Sequence, residues 1–409
     1  MHARSITLCV ILLLAAVCCA AAAPLAAAAP APLDPAPRAK WTVIVYMDGD
    51  NSLESWIAHD IDKELAATGS NADVQIVALA DRGSDPGTAD GGWSGARVFN
   101  VTKGMKATAD MAVADWGNPD MGSPQTLIDF VDWARASYPA DHYALFLWDH
   151  GWGWWPGNTM KDVTSNDYLD MDELRRAMQT IGGVDMVGMD TCLGQTIEVQ
   201  AEFRSFAKAM AGCEDSTGYT GFEYSEVLDK LQANPAMNAS SLATIAAKSV
   251  RTGHDEWSLT ASAVTLGWRW DRLTAAVSDL GWDMAIRLPR YRHAYAVARR
   301  QSASPPQSYP EVRDLYDSAR EIRAHVASPA IKNDCTRVIQ ALRGVVTYEW
   351  SPAVEGDLHG IAFYWPAAPA PPGAGSAFFS QWVNFAYYCT QLQFTRLTYW
   401  GDFLADWGG

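Results

Sequence analysis

The 409 residues contain no C-x-x-C pair and no H-E-x-x-H run, which removes zinc ribbons and the common zinc-peptidase motif. Positive charge is scarce: 31 Lys+Arg stand against 47 Asp+Glu, for a formal net charge of -16. A chain this acidic repels phosphate backbones, so nucleic acid is not an expected partner. Only 19% of residues are charged while 49% are hydrophobic, which excludes a wholly disordered chain. Past residue 30 no stretch is long and apolar enough to span a membrane, and no internal repeat is visible. The length allows two or three domains.

Residues 1–29 combine Arg4, an apolar run from Ile6 to Ala23 and small residues at Ala26, Ala27 and Ala28. That pattern is expected of a secretory signal peptide, against the alternative of a membrane anchor. The protein is therefore expected to be secreted or periplasmic, with no membrane association once the signal is removed. Residues 30–40 are Pro-rich and read as an extended linker. Of 7 cysteines, Cys9, Cys18 and Cys19 fall in the signal. Cys192, Cys213, Cys335 and Cys389 remain, each either paired or free in an oxidising compartment.

Residues 41–225 alternate short, largely apolar runs with helical patterns. Trp41 to Met47, Val74 to Ala80, Tyr143 to Trp148, Val184 to Met189 and Ala207 to Ala211 read as buried strands. Helices are expected after Asn51 (with Glu54 completing a capping box), after Ser123-Pro124, after Asp170 and from Gln195 to Phe203. This predicts an α/β fold with a mainly parallel sheet flanked by helices on both faces. Residues 226–409 read as a largely helical C-terminal region with one late strand at Gly360 to Trp365, packed on the core.

In an open α/β sheet, ligands bind beyond the carboxyl ends of the strands. The third strand is followed by Asp149-His150-Gly151, the fourth by Asp190-Thr191-Cys192 and the fifth by Cys213-Glu214-Asp215. A His and a Cys at one sheet edge can make a nucleophile and its proton partner. The Gly151 N–H, with that of Cys192, can hold an oxyanion. The plainer readings are a polar loop histidine and a cysteine buried for packing. His59, His142, His254, His293, His325 and His359 fall inside helices, at the wrong strand end or in the later part.

Several segments in order resemble the clostripain family of secreted cysteine endopeptidases. They are Tyr46-Met-Asp-Gly-Asp-Asn-Ser-Leu-Glu54, Asp120 to Leu127, Tyr138 to Leu145, Leu147-Trp-Asp-His-Gly151, Tyr168 to Leu174, Met189-Asp-Thr-Cys-Leu193 and Gly360 to Pro366. The resemblance implies a caspase-like fold, His150 as acid/base and Cys192 as nucleophile. It also implies protein or peptide substrates, with Asp190 in a pocket for Arg or Lys. A carboxylate can pair with a guanidinium through two hydrogen bonds; the alternative for Asp190 is a cap on the following turn. Glu214 and Asp215 either add negative potential to that pocket or form a solvated turn.

Trp152 follows Gly151 where the family commonly has another Gly, and Cys213 stands where a small Ser is expected. If the fourth and fifth strands are adjacent, Cys192 and Cys213 are candidates for a reversible disulfide; Cys335 with Cys389 is the other candidate pair. Many relatives are cut between the His and Cys motifs. Lys161, the only basic residue between His150 and Arg175, is the expected cleavage point, or else a lysine exposed by chance. No cofactor is required for the chemistry, but the resemblance implies a structural calcium. Asp48 to Asn51 and Asp162 to Asp172 are acidic enough to supply ligands, without EF-hand spacing. Four tryptophans, Trp148, Trp152, Trp154 and Trp155, crowd the histidine loop as a subsite wall or as packing. The 18 Trp overall leave an alternative from another class: an inactive, secreted module binding carbohydrate or protein.

Overall fold

The first strand, β1 (Ala39–Gly49), is apolar on both faces, and its side chains divide between two cores. Ile44 and Tyr46 join one, and Trp41, Val43, Val45 and Met47 join the other. A two-residue period with both faces buried is what a strand covered by helices on each side requires. Each such aliphatic side chain contributes about 1.5–3 kcal/mol relative to its exposed state. The computed structural model describes residues 29–83, 92–157, 159–250, 260–305, 310–352, 358–367 and 381–408. Residues 1–28 of the expected signal peptide lie outside them. None of the described helices is long and apolar enough to cross a membrane.

The remaining strands are β2 (Val74–Arg82), β3 (Gly95–Asn100), β4 (Ala114–Gly117), β5 (Ala140–Trp148), β6 (Lys161–Asp162), β7 (Asp167–Tyr168), β8 (Met186–Asp190), β9 (Ala209–Gly212), β10 (Ala261–Thr265), β11 (Val312–Asp314), β12 (Val346–Trp350) and β13 (Ala362–Tyr364). Nine of them form one sheet in the order β12-β10-β9-β8-β5-β1-β2-β3-β4. The central five, β9-β8-β5-β1-β2, are parallel. Antiparallel pairs finish both edges. The helices Pro124–Ser137, Met171–Ile181 and Ile197–Phe203 cover one face, and Tyr224–Ala233 with Ala239–Ser249 cover the other. The fold is thus the expected α/β architecture.

Two sequence expectations change. The region from residue 226 is mostly helical, but it also lends β10 and β12 to the main sheet and β11 to a pair with β13. The capping box at Asn51 and Glu54 does not form. Asn51 Oδ1 accepts from the Leu53 N–H at 2.9 Å, and Glu54 instead pairs with the buried Arg82, whose Nε lies 2.6 Å from Oε1. Both side chains tie the turn after β1 to its neighbours rather than closing the helix on itself. The caps at Ser123 and Asp170 are as expected, the latter with Glu173 as a reciprocal box.

Buried acids on the helix after Cys192 anchor the C-terminal region. Glu198 accepts from the Tyr364 N–H and the Tyr388 hydroxyl, each at 2.8 Å, and Glu202 accepts from the Gln393 N–H at 2.7 Å. Burial raises these carboxyls to about 7 and about 8. The strand-rich N-terminal half and the C-terminal region are therefore joined by hydrogen bonds to buried carboxyls.

Candidate active site

The parallel pairing of β5 with β8 sets Trp148 opposite Asp190, and the Asp149 N–H continues the pairing to the Asp190 carbonyl at 3.3 Å. His150 and Cys192 each follow two residues beyond that paired end, on neighbouring strands. The loops then lie against each other. A Cβ on Gly151 would sit 2.6 Å from Thr191 Cβ and 3.0 Å from the Cys192 carbonyl oxygen. Only glycine permits that approach. The sheet edge thus brings together His150, Gly151 and Cys192.

The histidine is held from several sides. Asp149, fully buried, accepts from Asn51 Nδ2 at 2.8 Å, from the Lys161 N–H at 2.7 Å and from the His150 N–H. The His150 carbonyl accepts from the Met160 N–H. The ring itself meets Ser52, whose Oγ lies 2.8 Å from Nε2. That contact occupies Nε2 and leaves Nδ1 as the other ring nitrogen. Ser52 was missed in the sequence, where it reads as one more turn residue; its spacing from His150 carries no local signal.

Cys192 is half-buried, and its Sγ accepts from the Thr217 N–H at 3.3 Å. Burial pushes its thiol up, with the nearby Asp215 and Asp190 acting in the same direction, and burial lowers the His150 imidazole. The resting pair is therefore a neutral thiol and a neutral imidazole. Leu193, next in the chain, has φ of 57°, an uncommon left-handed backbone for a branched residue, and its N–H donates to the Asp215 carbonyl at 2.8 Å. This sharp turn holds Cys192 at the rim. Among the described residues, neither the Gly151 nor the Cys192 N–H has a recorded acceptor.

The three acids flagged after the strands separate. Asp190 is 5% exposed; its Oδ2 accepts from the Tyr224 hydroxyl at 2.7 Å and from the Phe222 N–H. A Cβ on Gly221 would fall 2.3 Å from Asp190 Oδ1. The loop before Tyr224 therefore runs directly over the carboxylate. Burial raises Asp190 to about 8, and Asp60 adds to the rise. Asp60 was also missed in the sequence. It lies in a π-helical turn (Asp60–Leu65), accepts from Trp148 Nε1 at 2.7 Å and is raised by burial to about 6. Nearby in the chain, Trp56 stacks on the exposed Tyr219, with ring centroids 5.5 Å apart.

Asp215 is buried close to Cys192. Glu214 corrects the expectation of a pocket acid: it is turned to the opposite side of the strand end, as the two-residue period demands. There it accepts from the Gly360 N–H and shares a hydrogen bond with the buried Asp314. Cys213 is a free, buried thiol, bonded to Thr217 Oγ1 at 2.7 Å and to the Asp215 carbonyl at 2.9 Å. Cys192, Cys335 and Cys389 are free as well. Trp154 is 1% exposed and stacks on Trp155, 4.5 Å away, against Tyr364 and Tyr388. Trp148, Trp154 and Trp155 are thus core packing rather than an open wall.

Lys161 sits in β6, half-buried, with its N–H given to Asp149 and its carbonyl accepting from Asn51 Nδ2 at 3.2 Å. Its neighbour Asp162 belongs to a buried acid cluster. Carboxylate oxygens of Asp50, Asp81 and Asp162 lie within 4.8 Å of one another. Asp48 Oδ2 and Asp81 Oδ2 are buried with no hydrogen-bond partner. Burial and mutual repulsion raise Asp48, Asp162 and Asp81, the last to about 9. Two oxygens on opposite sides of a calcium ion are about 4.8 Å apart, so this all-oxygen set fits that cation. Asp50 and Asp162 lie in the stretches flagged from the sequence; Asp81, at the end of β2, was not.

Comparison with known proteins follows this geometry. Clostripain of Hathewaya histolytica is 24% identical over 228 residues, a match spanning 49% of this chain and 43% of that protein. A secreted C11 cysteine protease from Bacteroides thetaiotaomicron, solved with an irreversible peptide inhibitor, superposes with a TM-score of 0.65 at 17% identity, covering 88% of this chain and 99% of that one. An inactive zymogen C11 protease from Parabacteroides distasonis gives a TM-score of 0.62 at 19% identity, covering 80% and 92%. These structural likenesses establish the shared fold. The family model described as the clostripain family matches residues 45–407, nearly all of the described protein, and on that match the chain belongs to the clostripain family.

Proposed function

We propose that this protein is a cysteine endopeptidase in which Cys192 attacks the scissile carbonyl and His150 moves the protons. The observation that carries this reading is the placement of both side chains at the ends of adjacent parallel strands, with Gly151 pressed against Thr191 and Cys192. Family membership supports the same chemistry. The resting thiol passes its proton to the imidazole as Sγ bonds to the carbonyl carbon. The carbonyl oxygen takes up negative charge, facing the N–H groups of Gly151 and Cys192. The imidazolium then protonates the departing amine, leaving a thioester. Water attacks the thioester, His150 takes a water proton, and the acid product and free thiol are released. A peptide panel on the wild type and Cys192→Ala tests this reading; cleavage by the variant at the wild-type rate defeats it.

Ser52 acts as a positioning residue for His150. Its hydroxyl engages Nε2 and so fixes which nitrogen faces the substrate. Ser52→Ala is expected to lower kcat by about 10- to 100-fold, the worth of one hydrogen bond to a group that becomes charged. KM should stay unchanged and Ser52→Thr should restore the rate. A change confined to KM would assign Ser52 to substrate binding instead.

Asp190, with Asp60 beneath it, forms the floor of a pocket selecting Arg or Lys before the scissile bond. A buried carboxyl pushed upward by burial and by the nearby Asp60 gains most from an entering cation. Asp215 adds negative potential from behind the nucleophile. Lys161 is the point of processing. Because its backbone is tied on both sides, cleavage there requires the β6–β7 hairpin to open first. The chain is secreted, consistent with its N-terminal residues and with a neighbour described as secreted.

A calcium ion held by Asp50, Asp81 and Asp162, with Asp48 close by, would neutralise acids that otherwise repel one another at the same rim. It plays no part in proton transfer; its role is to hold the β6 loop against the ends of β1 and β2. Calcium at 100 times its dissociation constant should stabilise the fold by about 2.7 kcal/mol, raising Tm. Asp81→Asn should remove most of that shift. Equal melting curves with calcium and with a chelator would refute the site. The alternative of an inactive, Trp-rich binding module is not favoured, since the tryptophans of the histidine loop are largely buried.

A further inference from the structure

The helix Leu288–Gln301 carries Arg290, Arg292, Arg299 and Arg300 and not one acidic residue, in a chain whose formal net charge is -16. Its basic side chains do not simply fan into solvent. They line a concave cavity of about 760 Å³, together with His293 and Trp407. Cavities that take small ligands usually measure about 300–1,000 Å³.

Two of the guanidiniums are already fixed in place. Arg292 donates to the carbonyls of Trp407 and Asp406 at 2.8 and 3.0 Å. Arg299 is 7% exposed and donates to the carbonyls of Trp365 and Pro310. Behind it lies a second buried guanidinium, Arg313, 8% exposed, whose Nε donates to the Arg299 carbonyl at 2.9 Å. Burial and the neighbouring Arg313 lower Arg299 to about 10, while Glu311 offsets this in part from beyond ion-pair distance. Arg290, Arg300 and His293 stand at the exposed rim. Among the described residues, no ion pair is recorded for Arg290, Arg292, Arg299 or Arg300.

Carbonyl contacts satisfy donors but do not cancel charge. Holding the like charges of Arg299 and Arg313 side by side in a buried wall costs free energy that Glu311 returns only in part. An anion in the cavity would return it. Guanidiniums present planar forks suited to oxygen pairs on phosphorus or sulfur. Four of them, spread round one concavity, exceed what a single oxyanion can engage.

We propose that this cavity is an anion-binding site for a small ligand carrying two or more phosphate or sulfate ester groups. Rim residues Arg290, Arg300 and His293 close over the ligand, and Arg292 and Arg299 form the fixed wall. The site is separate from the Cys192 chemistry and does not depend on it.

The test is calorimetric titration of the full chain, with Cys192 alkylated, at low ionic strength. The probes are inositol hexakisphosphate, sucrose octasulfate, inorganic sulfate and hexaglutamate. The expected result is one site that binds one or both polyesters at least tenfold more tightly than sulfate or hexaglutamate, weakening as salt is added. Preference between the two polyesters identifies phosphate or sulfate as the natural group. Arg290→Ala with Arg300→Ala, both at exposed positions, should weaken that binding at least tenfold with an unchanged melting curve. Absence of polyester binding at millimolar concentration overturns the proposal. So does binding unaffected by the double substitution, and so does hexaglutamate binding as tightly as the polyesters.

Discussion

Replacing Cys192 with alanine lowers peptide hydrolysis by at least about 1,000-fold while leaving the fold intact. The size of the loss follows from the mechanism: without Sγ no thioester forms, and only substrate positioning and oxyanion stabilisation survive. The intact fold follows from the packing. Cys192 is half-buried, and its sulfur accepts from the Thr217 N–H and meets the Ser216 side chain, both small contacts at the rim. Cys213 makes the informative contrast. It is 2% exposed and bonded to Thr217 and to the Asp215 carbonyl. Cys213→Ala should therefore lower Tm and keep most of the turnover. Matched kinetic and thermal measurements on the two variants separate a reactive thiol from a packed one. Equal effects of both substitutions on turnover would contradict the assignment.

The second large effect is expected at Asp190. Asp190→Asn should raise KM for substrates with Arg or Lys before the scissile bond by about 100-fold or more. An uncompensated guanidinium in a buried pocket forfeits about 2–5 kcal/mol. Asparagine keeps an acceptor for the Tyr224 hydroxyl, so the loop above the pocket has no reason to collapse. The sign of the pH dependence is also set. Asp190 is raised to about 8 in the free protein, so at neutral pH it is largely protonated. Binding a cationic side chain requires the ionised form. For Arg and Lys substrates, kcat/KM should therefore climb as pH rises through about 8. The climb should flatten in Asp190→Asn and be absent for substrates with an uncharged residue at that position. The same raised pKa makes the wild-type carboxyl a burden on the empty protein. Stability associated with its protonated form is present below the unfolded value of about 4 and is lost as pH rises through about 8. Parallel pH profiles for all substrates would show that Asp190 does not set specificity.

What the sequence disclosed follows from where the physics is local. The five parallel strands were legible because a strand buried on both faces must be mostly apolar, as Trp41 to Met47, interrupted only by Thr42, and Tyr143 to Trp148 are. The edge strands were not. β3, β4, β10 and β12 are 4–6 residues long, and β12, Val346–Trp350, has no fully buried position, so none makes a long apolar run. His150 and Cys192 could be placed at one sheet edge because the ends of parallel strands share a rim, a topological rule that does not need coordinates. Ser52, Asp60 and Asp81 were not, because their partners are distant in sequence: 98 residues separate Ser52 from His150, and 88 separate Asp60 from Trp148. Glu214 shows the reverse error. It was grouped with Asp215 by adjacency, yet neighbouring residues at a strand end face opposite ways, and its carboxylate serves Gly360, 146 residues on.

The pairing of His150 with Cys192 is tested most directly by intact-mass and peptide-mapping analysis after reaction with a thiol-reactive peptide ending in lysine. The account predicts one adduct per chain, on Cys192. Complete loss of hydrolysis should track adduct formation, and labelling should slow markedly in His150→Ala. An adduct shared among Cys192, Cys213 and Cys389, or hydrolysis that persists after Cys192 is fully modified, would contradict it.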